Sequence, residues 1–147
     1  MDKYKVILVD DEAEVIDVIE QKIAWNELGF EVVGSATNGV KALELVEKTQ
    51  PDVVITDIKM PYMDGLELSK RLNDDYRNIH IIIFTGFDEF EYAKEAVHLE
   101  VEEYMLKPIN SDELTECLKR VKNSLDLERE EKLNVQKLEN YFNDVLP

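Results

Sequence analysis

Two short runs, DVVITD at residues 52–57 and HIIIFT at 80–85, are apolar almost throughout instead of alternating apolar with polar. A strand of that kind has no face to offer water, so it belongs in a sheet covered on both sides. The other apolar runs fit the same frame. Tyr4–Val9 and Phe30–Ala36 read as strands, Val53–Thr56 and His80–Thr85 as two more, and Val101–Leu106 as a weaker fifth. Between them lie stretches of helical period. Glu12–Ala24 places Val15, Ile16, Ile19 and Ile23 on one face, and Asn38 caps a helix carrying Val40, Leu43 and Val46. Leu66–Leu72 follows the Asp64–Gly65 turn, Glu89–Leu99 makes a fourth helix, and a long final helix starts at Ser111. This alternation predicts an α/β fold, a flavodoxin-like doubly wound five-stranded parallel sheet of order 2-1-3-4-5 with an extended C-terminal helix.

The final helix changes character along its length. Leu114, Cys117, Leu118, Val121 and Leu125 form a core stripe, the charged run LEREEK follows, and Val135, Leu138, Phe142 and Val145 then recur at spacings of three and four. One domain is expected over 1–125. Residues 126–147 are expected to form a helical linker toward an output domain outside this sequence. Two heptads are too few to establish a coiled coil, so pairing with a second copy and an extended tail both stay open.

Acids outnumber bases 33 to 17, for a net charge of −16. Such a surface repels phosphate backbones, so DNA is expected only through an output domain. Cys117 is the sole cysteine, which excludes an internal disulfide and reads as a small buried side chain. No run approaches the roughly 18 apolar residues of a membrane span, and the first residues do not read as a signal peptide. A soluble cytoplasmic protein without a membrane partner is expected.

The chemistry gathers at the carboxyl ends of the strands, where doubly wound folds bind ligands. Strand 1 runs into Asp10 and Asp11, strand 3 into Asp57, strand 4 ends at Thr85, and strand 5 runs into Lys107. Order 2-1-3-4-5 makes strands 1 and 3 neighbours, so the three aspartates should converge. Three carboxylates at close quarters repel one another unless a cation sits among them, and an all-oxygen site suits Mg²⁺. Thr85 can bond an oxyanion and Lys107 can neutralise one. Singly, each residue has a plainer role as a cap, a turn former or a solvated edge. Jointly they form the set that phosphoryl transfer to a carboxylate requires, with Asp57 as nucleophile.

The segments ILVDDE, VVITDIKMPYMDGLEL, IIIFTG and YMLKPI, in that order, resemble the receiver domain of two-component response regulators over about residues 3–125. WNELGFEVVG and GFDEFEYAKEAV resemble the subfamily whose receiver precedes an AraC-type helix-turn-helix output domain. The resemblance implies that Asp57 is the phosphoacceptor, served by a sensor histidine kinase or a small phosphodonor. It implies that Asp11 and Asp57 ligate Mg²⁺ directly, Asp10 through water, and Lys59 through its main-chain carbonyl. Thr85 and Lys107 would bind phosphoryl oxygens, Tyr104 would be the aromatic switch residue, and a cis bond would precede Pro108. Phosphorylation would switch the surface of the fourth helix, strand 5 and the final helix, promoting a homodimer and controlling transcription through the output domain. The chain would then be a signalling switch, an enzyme only toward its own phosphorylation and dephosphorylation. Glu100 stands where the family usually has glycine.

Three rivals make different demands. An aspartyl-nucleophile Mg²⁺ phosphatase usually has an acid two residues after the nucleophile, where this chain has Lys59. A flavin-binding sheet needs a phosphate-cradling loop after strand 1, which is missing. A dimerisation module without phosphorylation would not need the full set of acids, threonine and lysine. The remaining conspicuous residues read as structural. Trp25 should pack beside Leu28 or Phe30, His80 and His98 lack metal-ligand spacing, Asp52 reads as a turn, and Phe87, Phe90 and Tyr92 read as core or as an interaction surface.

Overall fold

The apolar runs conceal a strict alternation. Val6, Leu8, Val53, Ile55, Ile82, Phe84 and Met105 enter one hydrophobic cluster. Ile7, Val9, Val54, Ile81 and Ile83 enter a second one on the opposite side of the sheet. Successive apolar residues of the central strands are therefore buried under one helix layer and then the other. The computed structural model describes residues 3–76, 78–86 and 101–145.

The described elements are β1 (Tyr4–Val9), α1 (Ala13–Lys22), α2 (Trp25–Leu28), β2 (Phe30–Ala36), α3 (Gly39–Thr49), β3 (Val53–Asp57), α4 (Gly65–Asp75), β4 (His80–Thr85), β5 (Glu103–Leu106) and α5 (Ser111–Val145). The sheet runs β2-β1-β3-β4-β5, with every pair parallel. Residues of α1 and α5 supply the first cluster, and residues of α3 and α4 the second.

The expected architecture is present, and several boundaries move. The first helix ends at Lys22, and a separate turn, α2, follows, closed by Gly29 at a left-handed φ of 89°. Trp25 joins the cluster that holds Phe30, and its indole N–H donates to the Glu20 carbonyl at 3.1 Å. Asn38 caps α3 by accepting from the Lys41 N–H at 2.8 Å. Asp64 caps α4 through the Glu67 N–H, also at 2.8 Å, and that helix runs on to Asp75. The cap of α5 is Asn110, one residue ahead of Ser111, accepting from the Glu113 N–H at 3.0 Å. Asp52 does more than turn the chain, because its carboxylate accepts from the Lys5 N–H at 2.8 Å and ties the start of β1 to the approach of β3. The helix expected over 89–99, with Phe87, Phe90, Tyr92, His98 and Glu100, lies outside the described residues.

Helix α5 is docked only in part. Leu114, Cys117, Leu118, Val121 and Leu125 are buried, and every apolar side chain from Leu127 to Val145 is exposed. Polar contacts fasten the helix where it leaves the body. Tyr4 donates to Asp126 at 2.5 Å, the Arg129 guanidinium lies 4.9 Å over the Tyr4 ring, and His80 sits between Glu102 (3.1 Å) and Glu128 (3.0 Å). These anchors lie at the starts of β1 and β4, the sheet edge opposite Asp57. No described helix is long and apolar enough to cross a membrane.

Candidate functional site

Strand parity brings the site together. Asp57 follows Val53 and Ile55, Asp10 follows Val6 and Leu8, and Lys107 follows Met105, all on the face that α1 and α5 cover. Register supplies the other coordinate, since β1 and β3 pair as far as Val9 and Thr56 and β3 and β4 as far as Asp57 and Phe84. Asp10, Asp11 and Asp57 therefore bring carboxylate oxygens within 4.8 Å of one another. Asp10 and Asp57 are 3% and 6% exposed, and Asp11 faces solvent.

One cation already stands among the acids. The Lys107 ammonium is 3.1 Å from Asp57 Oδ1 and 3.3 Å from Asp10 Oδ2. Main-chain donors add to it, with the Ile58 N–H giving to Asp57 Oδ1 and the Glu12 N–H to Asp10 Oδ1, both at 2.9 Å. These partners do not fully offset burial. Desolvation, followed by repulsion from Asp10, pushes the Asp57 carboxyl up to about 6, against the pull of Lys107 and the Ile58 N–H. Burial also raises Asp10. Burial alone would lower Lys107, but its bonds to Asp57 and Asp10 outweigh that and raise it.

This donor set fits a hard divalent cation. Three carboxylates converge on one point, two of them carry an uncompensated desolvation cost, and the edge opens into a cleft of about 410 Å³ lined by Asp11, Lys59, Met60 and Asp64. Lys59 is exposed on that cleft, two residues beyond Asp57. Thr85 is buried at the end of β4, the strand beside β3. Its carbonyl accepts from the Lys107 N–H at 2.8 Å, which sets the height of the lysine at the edge. Tyr104 is 36% exposed on the edge strand β5. The Lys107–Pro108 peptide is cis.

Two residues at the site escaped sequence reasoning. Gly65 was legible only as part of a turn, yet its N–H donates to the Ile58 carbonyl at 2.7 Å, and a β-carbon there would lie 2.2 Å from the Asp57 carbonyl oxygen. The loop after Asp57 thus folds back against the backbone of its own strand. Thr56, fully buried, donates its hydroxyl to that same carbonyl at 2.9 Å. A Thr-Asp pair at a strand end is the only local signal, and it does not specify a bond to the main chain.

The weight of Lys107 can be measured. Lys107→Met is expected to lower stability at about pH 8 in chelator by about 2 kcal/mol, because it leaves two buried carboxylates without their shared cation. Added Mg²⁺ should recover part of the loss. Equal denaturation midpoints for the two proteins in chelator would show that the ammonium offsets nothing.

Comparison with known proteins agrees with this fold. Residues 6–119 match the family model described as the response regulator receiver domain. The transcriptional regulatory protein YesN of Bacillus subtilis is 43% identical over 118 residues, which cover 80% of this chain and 32% of the relative. The transcriptional regulatory protein HptR of Staphylococcus aureus is 37% identical over 123 residues, 83% of this chain and 48% of the relative. The chain thus spans less than half of the length of these relatives. Among solved structures, the REC domain of AraT, a response regulator from Geobacillus stearothermophilus, superposes with a TM-score of 0.82 at 44% identity, covering 86% of this chain and 98% of that one. A two component transcriptional regulator AraC from Clostridium phytofermentans gives 0.80 at 30% identity, with the same coverage.

Proposed function

The chain belongs to the response regulator receiver family, and from that premise we propose that it is a phosphorylation-controlled switch with Asp57 as phosphoacceptor. The observation that carries this reading is the Lys107 ammonium held 3.1 Å from Asp57 Oδ1 within a cluster of three carboxylates. A nucleophilic carboxylate, a fixed cation beside it and an oxygen donor set for a metal are the parts that in-line phosphoryl transfer uses.

An Asp57 carboxylate oxygen attacks the phosphorus of a kinase phosphohistidine or a small acyl phosphate. The new O–P bond forms as the P–N or P–O bond of the donor breaks, and the leaving group takes the electron pair. Asp10, Asp11, Asp57 and the Lys59 main-chain carbonyl would hold Mg²⁺, which when bound neutralises charge on the transferring oxygens. Lys107 turns from the carboxylate to a phosphoryl oxygen, and Thr85 rotates its hydroxyl toward another. That rotation vacates space near β5 into which Tyr104 can turn. The change biases the surface that includes β5 and the docked half of α5, promoting a homodimer and, in a longer protein, controlling a DNA-binding output domain of the AraC type. A sensor histidine kinase and a cytoplasmic location follow from that role.

Incubation with acetyl phosphate and Mg²⁺ is expected to give a phosphorylated mass species that hydroxylamine removes. Chelation and Asp57→Asn should each abolish it. Equal phosphoryl uptake by the folded Asp57→Asn protein would sink the assignment.

A further inference from the structure

Beyond Arg129, the last residue with a contact to the body described above, about 24 Å of α5 at 1.5 Å per residue stands with its apolar side chains in water. The exposed apolar side chains of this segment are surface that a packing partner would cover.

The exposed side chains say what geometry that partner has. Val135, Leu138, Phe142 and Val145, between 49% and 57% exposed, follow one another at spacings of three, four and three. That is the a/d seam of a two-helix coiled coil, whose complement is another helix with the same repeat. One heptad earlier the same frame holds Glu128 and Glu131, and Glu128 is bonded to His80. The seam thus begins where docking onto the body ends.

Charge selects the partner. The chain as a whole carries −16, but residues 132–145 hold Lys132 and Lys137 against Glu139 and Asp144 and are neutral. Two copies would repel through their bodies and not through this segment. A nucleic acid finds no basic surface here. We infer that residues 132–145 of α5 form a homotypic pairing segment, seated against the same segment of a second copy of this chain.

A seam of two heptads is short, so the pairing is weak and needs no phosphoryl group. It lies at the opposite sheet edge from Asp57, and a phosphorylation-dependent contact elsewhere would add to it. Sedimentation equilibrium of the 147-residue chain, without phosphodonor, is expected to show a concentration-dependent monomer–dimer equilibrium. Leu138→Glu with Phe142→Glu should weaken it by at least roughly tenfold, and Leu138→Met should leave it nearly unchanged. Both positions are exposed, so the body should keep its thermal midpoint. A monomer at every concentration, or a dimer indifferent to the double substitution, overturns the inference. Phosphoryl uptake at Asp57 is read by mass spectrometry in the same proteins, so either reading can fail without the other.

Discussion

Alanine at position 65 is expected to cost about 3 kcal/mol of stability, as overpacking against an unyielding neighbour does. A β-carbon on Gly65 would lie 2.2 Å from the Asp57 carbonyl oxygen and 3.0 Å from the Ile58 α-carbon, and both of these are backbone atoms. No side chain can rotate away to relieve the clash. Separating the two segments would break the 2.7 Å bond from the Gly65 N–H to the Ile58 carbonyl. It would also disturb the start of α4, where the Ser69 hydroxyl bonds the Gly65 carbonyl at 2.7 Å. The site would suffer together with the fold, since the displaced segment includes Asp57 itself. Thermal denaturation reads the effect, with an expected drop in melting temperature of about 10 °C. A midpoint equal to that of the parent protein would mean that the backbones do not approach in this way.

Asp57→Asn should do the reverse and stabilise the metal-free protein at neutral pH. Burial and the neighbouring Asp10 raise the Asp57 carboxyl from 3.8 to about 6, so the native state holds this proton more tightly than the unfolded chain does. Where the native state binds more protons, stability falls as pH rises. The loss accumulates between about pH 4 and pH 6 and persists above it, approaching about 3 kcal/mol for a shift of this size. Asparagine carries no charge to desolvate, but it surrenders part of the pairing with Lys107. The expected net gain at pH 7.5 in chelator is therefore about 1–2 kcal/mol. The gain should vanish below about pH 4, where both proteins are uncharged at position 57. Mg²⁺ should narrow the difference, because it stabilises the complete carboxylate set more than the asparagine variant. A less stable asparagine variant at pH 7.5 in chelator, or a difference independent of pH, would contradict the origin assigned to the raised Asp57 carboxyl.

The two effects concern the same few atoms for opposite reasons. Gly65 permits a close approach that the fold needs, whereas the ionised Asp57 imposes a burial cost that the fold tolerates. Stability surrendered at a reactive carboxylate is a common mark of a functional site. The Lys107 ammonium and the Ile58 N–H limit that cost without removing it.

Much of the architecture was legible in the sequence because its signals are periodic. Continuous apolar strands imply helices on both faces, and β1, β2 and β4 have the ends their residues suggest. Failures fell where the signal is short or polar. A single turn such as α2 has no period to detect, and the second half of α4 extends over Asn73, Asp74 and Asp75, residues that mark loops as readily as helix ends. Asp52 and His80 looked idle because their partners, Lys5, Glu102 and Glu128, lie between 22 and 48 residues away in the chain.

By itself the sequence determined which chemical groups stand at the strand ends, whereas the shared face of Asp10, Asp57 and Lys107 follows from the register between strands. Only the tertiary structure decided how close they come. The 3.1 Å contact between Lys107 and Asp57, the press of Gly65 against the Asp57 backbone and the release of α5 after Leu125 all depend on strand register and helix placement. Those are set by packing across the whole sheet, which no local stretch of residues encodes.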